Sequence, residues 1–122
     1  MSFHKTLETI VNQVEGGAVA VVLGVDGIVI ERVVKDIDPA LDIDLIATEM
    51  TTLLRRSMHT ATDTGLGELR EMMFVTDLMT FLLRSITSEY FLIFAVNPGG
   101  NIGRARFELR KAQLALETEF VM

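Results

Sequence analysis

Residues 43–61, IDLIATEMTTLLRRSMHTA, decide how the rest of the chain is read. Ile43, Ile46, Ala47, Met50, Leu53, Leu54, Met58 and Ala61 fall within roughly 140° of arc at the helical step, the pattern of an amphipathic helix. One edge of this band carries Ile46 and Leu53, and the other carries Ala47 and Met58. Covering a sheet of the same chain requires only one edge. Two readings stand side by side: a broad core helix, and a helix that is also a seam with a second copy.

Upstream, Phe3, Leu7, Ile10, Val11 and Val14 form one helical stripe, with Ser2 as its N-cap and Gly16-Gly17 as its stop. Ala18 to Leu23 and Ile28 to Val34 are β-branched runs joined through Asp26-Gly27, a hairpin signal. Their nearly unbroken apolarity predicts strands covered on both faces, with Glu31 and Arg32 reaching solvent. Asp42 caps the helix at Ile43. The helical pattern fades at Thr60 to Thr64 and ends by Gly65-Leu66-Gly67. Glu68 to Val75, Leu78 to Ile86 and Tyr90 to Val96 read as three strands with short turns that make neighbours antiparallel. Asn101 opens a last helix with Ile102, Ala105, Leu109, Ala112, Leu116 and Phe120 buried. The fold class is an α/β (α+β) sandwich of order α-β-β-α-β-β-β-α, a five-stranded antiparallel sheet covered by helices on both faces, in a single domain over residues 1–122. The run Met72 to Val75 reads as an open sheet edge, which a symmetry mate would cover, or as an internal strand.

Composition bounds the function. The chain has 122 residues, 49% apolar, a net charge of −6 and no cysteine, with a mean hydropathy of +0.38. Excess apolar surface without a run of membrane-spanning length points to self-association. The negative charge argues against general nucleic-acid binding and anionic membranes. The absence of cysteine excludes disulfides and thiol chemistry, and the opening MSFHKTLETI has no secretory plan, so the expected compartment is the cytoplasm.

The hairpin opening GGAVAVVLGVDGIVIERV, the broad middle helix and the closing FLIFAVNPGGNIGRARFELRKAQLAL together resemble the Roadblock family of dynein-light-chain-related domains. The likeness spans essentially the whole chain. It rests on Asp26-Gly27, on the N-x-G-x-x-R-x-x-L-R element at Asn101 to Arg110, and on their order. Length and the lack of extra domains resemble the bacterial branch typified by the mutual gliding-motility protein B. The resemblance implies a profilin-like sandwich that dimerises through the middle helix and third strand. It also implies binding and regulation of a Ras-like small GTPase, by stimulating hydrolysis or by acting as a scaffold. The seam residues are then Ile46, Ala47, Met50, Leu53, Leu54, Ser57, Met58, Met72 and Phe74. Met50, Met58, Met72, Met73 and Met79 cluster around these elements, as adaptable interface or as ordinary core.

Chemistry of the chain's own is not expected. No G-x-x-x-x-G-K-[ST] loop is present, so this is not the nucleotide-binding partner. His4 and His59 lack metal-ligand spacing, and Ser2, Ser57, Ser85 and Ser88 lack a nucleophile setting. The pairs Asp36/Asp38 and Asp42/Asp44 read as caps and solvated loop. No catalytic residue, cofactor or metal is therefore expected. Glycines at Pro98 to Gly103 form either an anion cradle completed by Arg104 and Arg106 or a tight turn, with Gly103 allowing close helix–sheet packing. Arg55, Arg56, Arg104 and Arg106, with Phe107 and Leu114, are the candidates for partner binding. An arginine finger is one use of such arginines, but the resemblance implies repositioning of the GTPase's own residues instead. Arg70 and Arg84 fall in strands, and Arg110 and Lys111 share the last helix. Phe107, Leu114 and Val121 recur off the buried stripe, facing either the first helix or a partner. A regulator of a GTPase is the expected function; the alternative is a structural adaptor indifferent to nucleotide state.

Overall fold

The computed structural model describes residues 3–121. The Ser2 cap lies outside them. Helix α1, Phe3–Gln13, buries Leu7, Ile10 and Val11 along the stripe that the spacing predicts. It ends where the Gly17 amide donates to the Val14 carbonyl (3.0 Å) and Gly16 takes a positive φ of 84°, a conformation cheap only for glycine.

Strand β1, Gly17–Gly24, is buried at every residue. It pairs antiparallel with β2, Val29–Val34, in the register Val21↔Arg32. Within the hairpin turn the Asp26 carboxylate accepts from the Ile28 amide (3.0 Å). The expected cover on both faces of β2 is not found. Val29, Ile30 and Val34 are exposed, because β2 is an edge of the sheet rather than an interior strand.

Helix α2, Ile43–Asp63, starts at Asp42, whose side chain accepts from the amides of Asp44 and Leu45. It runs past the fading apolar pattern. Thr60 donates its hydroxyl to the Arg56 carbonyl (3.0 Å) and the C-cap Thr64 to the Thr60 carbonyl (2.7 Å), so the hydroxyls of this polar last turn are satisfied by the helix's own backbone.

Strands β3 (Glu71–Val75), β4 (Thr80–Ser85) and β5 (Tyr90–Val96) form an antiparallel meander. β3 and β4 are shorter than the apolar runs suggest. Thr76 closes the turn between them, its amide donating to the Met79 carbonyl (2.9 Å) and its hydroxyl accepting from the Met79 amide (3.2 Å), which leaves Leu78 in the turn.

The sheet order is β2-β1-β5-β4-β3. β1 and β5 form its centre, and side-chain alternation sends their apolar residues to two separate cores. On one face, Ala20, Val22, Leu82, Leu92 and Phe94 meet α1 and helix α3, Ile102–Val121, through Leu7, Ile10, Leu109 and Leu116. On the other, Val19, Val21, Phe81, Leu83, Phe91 and Ile93 meet Ala47, Met50 and Leu54 of α2. Each fully buried leucine or phenylalanine contributes about 1.5–3 kcal/mol. Phe120 stacks on Phe3 (4.9 Å between centroids) and on Tyr90 (4.2 Å), joining α3 to α1 and to β5.

The strand-to-helix turn before α3 is packed tightly. A Cβ at Gly100 would sit 2.4 Å from the Val96 side chain and 2.7 Å from the Glu15 carbonyl oxygen, so only glycine lets the end of α1 approach.

Candidate interaction site

Alternation along β3 and the helical step of α2 bring together one half of the expected seam. Met72 pairs with Leu83 and Phe74 with Phe81; both partners belong to the α2-side core, so Met72 and Phe74 lie on the α2 face of the sheet. α2 is oriented by two anchors. Arg32 of β2 donates to the Asp44 carboxylate, and Arg55 donates to the Val25 carbonyl (2.6 Å). These fix one flank of the helix beside β2 and its turn. The opposite flank, at the 100° step, holds Ile46, Leu53 and Ser57 and is turned toward the β4–β3 side.

The nine expected seam residues therefore divide. Ala47, Met50 and Leu54 are buried against β1 and β5 within the chain: the middle of the band serves this chain's own core, and the surplus lies at its edge. Ile46, Met58 and Met72 are partly buried against that core, and Ser57 is half-buried. Leu53 and Phe74 remain open, 38% and 37% exposed. β3 is the outer strand, so the edge reading of Met72 to Val75 holds and the internal-strand reading does not. Met73 and Val75 on its other face are exposed as well, Val75 by 66%.

The arginines are differently employed. Arg55 is held by the β1–β2 turn, while Arg56 is exposed. Arg104 donates to the buried Glu108 (2.8 Å). Arg106 reaches Glu71 (2.7 Å), as does Arg84 (2.9 Å). Phe107 and Leu114 are exposed; they do not pack under α1, and the Val121 side chain lies outside the described ones. Arg70, expected in a strand, lies just before β3; sequence reasoning missed that it and Arg84 of β4 meet Arg106 and Arg110 from α3. Arg84 shares a sheet face with Leu82, which points at α3, and that alternation was the available signal.

The glycine turn reads as packing. The amides of Gly100 and Asn101 donate to the carbonyls of Asn97 and Glu15 (both 3.1 Å), and Asn101 caps α3 by accepting from the Arg104 amide (3.0 Å). Gly103 is exposed, with only the Asn101 side chain near its Cβ position, so it does not serve close packing. Asp38 accepts from the Ala40 amide (2.9 Å) in the loop before α2, a structural role like that of Asp42. Among the described residues no group of three or more His, Asp or Glu side chains could hold a metal ion, and no helix is long and apolar enough to cross a membrane.

The same architecture recurs in solved structures. A Roadblock/LC7 domain from Streptomyces avermitilis is 18% identical, with a TM-score of 0.84 over 97% of both chains. MglC from Myxococcus xanthus is 32% identical over 98% of this chain and 99% of its own, with a TM-score of 0.71. The chain belongs to the Roadblock/LC7 family. Within that Roadblock/LC7 fold it is also similar to Myxococcus xanthus MglB, 13% identical with a TM-score of 0.84 over 97% of this chain and 94% of that one. The likeness to MglC thus extends to sequence, whereas that to MglB is one of fold. No protein-family model and no curated protein matches the sequence.

Proposed function

We infer that this Roadblock/LC7 chain is a non-enzymatic, homodimeric regulator or scaffold that binds a Ras-like small GTPase and tunes its hydrolysis or location. The observation that carries the reading is the open β3 edge, with Phe74 of that strand and Leu53 of α2 both left exposed. Two copies joined along β3 in antiparallel register would continue the sheet and bring both Leu53 flanks together over the junction, covering Phe74. Such a dimer offers a broad two-helix platform rather than a pocket, which suits a protein partner. The GTPase as that partner comes from the family resemblance.

The arginine placements favour positioning over a finger. Arg55, Arg104 and Arg106 are engaged inside the chain, and a finger must extend freely to the transferred phosphate. Arg56 is the candidate that retains that freedom on α2. The second reading, a structural adaptor, draws on the same tethering.

The experiment is hydrolysis by a Ras-like GTPase from the same genome with and without this protein, together with binding to its GDP and GTP-analogue forms. Preference for one nucleotide state with altered hydrolysis establishes the regulator. Equal binding to both forms with unchanged hydrolysis establishes the adaptor. Absence of binding to any such GTPase overturns both forms of the reading.

A further inference from the structure

On the sheet face opposite α2, the start of β3, the end of β4 and the outer side of α3 enclose an open cleft of about 450 Å³ lined by Arg70, Glu71, Arg84, Arg106, Phe107 and Arg110. Four arginines face one carboxylate. Arg84, only 12% exposed, lies deep in this cleft, donating to Glu71 and to the Gln113 side chain (2.9 Å each). Glu71 is shared with Arg106. Its charge is thus divided between two guanidinium groups, and among the described residues Arg70 and Arg110 enter no ion pair.

The neighbouring turn of α3 repeats the imbalance. Glu108 is divided between Arg104 (2.8 Å) and Lys111 (3.7 Å). Cleft and turn together hold six of the chain's eleven Lys and Arg but only two of its seventeen Asp and Glu, a local charge of +4, leaving −10 on the remainder. A protein this acidic does not gather its cations on one face through average composition. Phe107 stands in the middle of that face, 57% exposed, with the Lys111 ammonium 5.3 Å from its ring centroid. Leu114 continues the exposed line one heptad further.

We propose that this cleft and the adjoining ridge of α3 are a docking surface for an acidic segment of a partner protein. Carboxylates of the segment meet Arg70 and Arg110, with Arg106 and the recessed Arg84 behind them, and an apolar side chain covers Phe107. Charge complementarity selects the class: planar guanidinium groups take carboxylates in paired hydrogen bonds, and the aromatic centre within a charged rim is the layout of a binding hot spot. A recessed arginine is reached by a projecting side chain and not by a flat layer of lipid headgroups, while the −10 remainder opposes approach to an anionic membrane. The surface lies on the sheet face opposite the α2 flank, meets the proposed seam only at the start of β3, and does not rest on the GTPase reading.

The test uses the full chain and a fluorescein-labelled Asp/Glu-rich peptide of about 14 residues with one central phenylalanine, read by fluorescence anisotropy against salt. The peptide binds, and Arg70→Glu with Arg110→Glu weakens it about tenfold or more, Phe107→Ala several-fold. The neutral pair Arg70→Gln with Arg110→Gln loses an intermediate amount. Because neither arginine is paired, these variants keep the wild-type melting temperature and oligomeric mass. No binding at ~1 mM peptide, equal binding of a lysine-substituted peptide, or indifference to the substitutions overturns the proposal. So does sedimentation with phosphatidylglycerol vesicles in the absence of peptide binding, which would assign the surface to lipid.

Discussion

β2 and β3 are the two edges of the same sheet, and both carry apolar side chains into solvent, yet they are finished differently. β2 reads VIERVV, with Glu31 and Arg32 at its centre and Lys35 just beyond, and Arg32 is tied across to Asp44 of α2. β3 reads EMMFV. Its one charge, Glu71, is drawn toward α3 by Arg84 and Arg106, and nothing charged follows until Asp77. Charges in mid-strand repel a second strand because they would be desolvated on pairing; a strand without them invites one. The difference marks β2 as an edge guarded against pairing and β3 as an edge open to it.

The largest effect expected from breaking that contrast is at the junction. Leu53→Glu with Phe74→Glu should weaken the proposed dimer at least ~100-fold, near 3 kcal/mol, since like charges would be buried across a two-fold axis. Sedimentation equilibrium reads it, and a dimer of unchanged affinity would place the seam elsewhere. Next in size, Glu71→Gln leaves the recessed Arg84 and the exposed Arg106 sharing a neutral amide. It should cost about 1–2 kcal/mol in denaturant unfolding, because Arg84 has little access to water. On the guarded edge, Ile30→Glu should leave the oligomeric mass untouched and shift stability by less than ~1 kcal/mol. The smallest change is Arg32→Ala, within about 0.5 kcal/mol by the same unfolding measurement, as expected of a solvent-exposed pair.

How much of this was written in the sequence follows from the range of the interactions involved. Helix stripes such as Leu7, Ile10 and Val11 and the Asp26-Gly27 hairpin depend on neighbours within a few residues, so element order and sheet class were readable. The edge position of β3 was readable as an option because Met72 to Val75 lacks a charge. The burial of Ala47, Met50 and Leu54, as against the exposure of Leu53, depends on how α2 is rotated over the sheet. That rotation is set by how Ala47, Met50 and Leu54 pack on the sheet, a fit between elements that periodicity does not encode, and the exposed contacts of Arg32 with Asp44 and Arg55 with Val25 are compatible with it. The arginine cleft was hidden for the same reason. Arg84 and Arg106 are separate residues in the sequence, and only the β3–β4 pairing and the packing of α3 place Glu71 between them.

The central β1–β5 pairing carries a kinetic consequence. Val21 lies opposite Ile93, a closure over about 70 residues, whereas β3, β4 and β5 are joined by turns of a few residues and pay far less loop entropy. The meander is therefore expected to order before β1 docks onto β5, and pulse-labelled hydrogen exchange would find amides of β4 protected ahead of those of β1. In that early species the β3 edge, without a charge from Met72 to Val75, is already complete while half of the apolar sheet still lies bare. The strand suited to joining two finished copies is then the one most exposed to premature pairing, so the chain's yield on refolding should fall with concentration more steeply than its final stability would suggest.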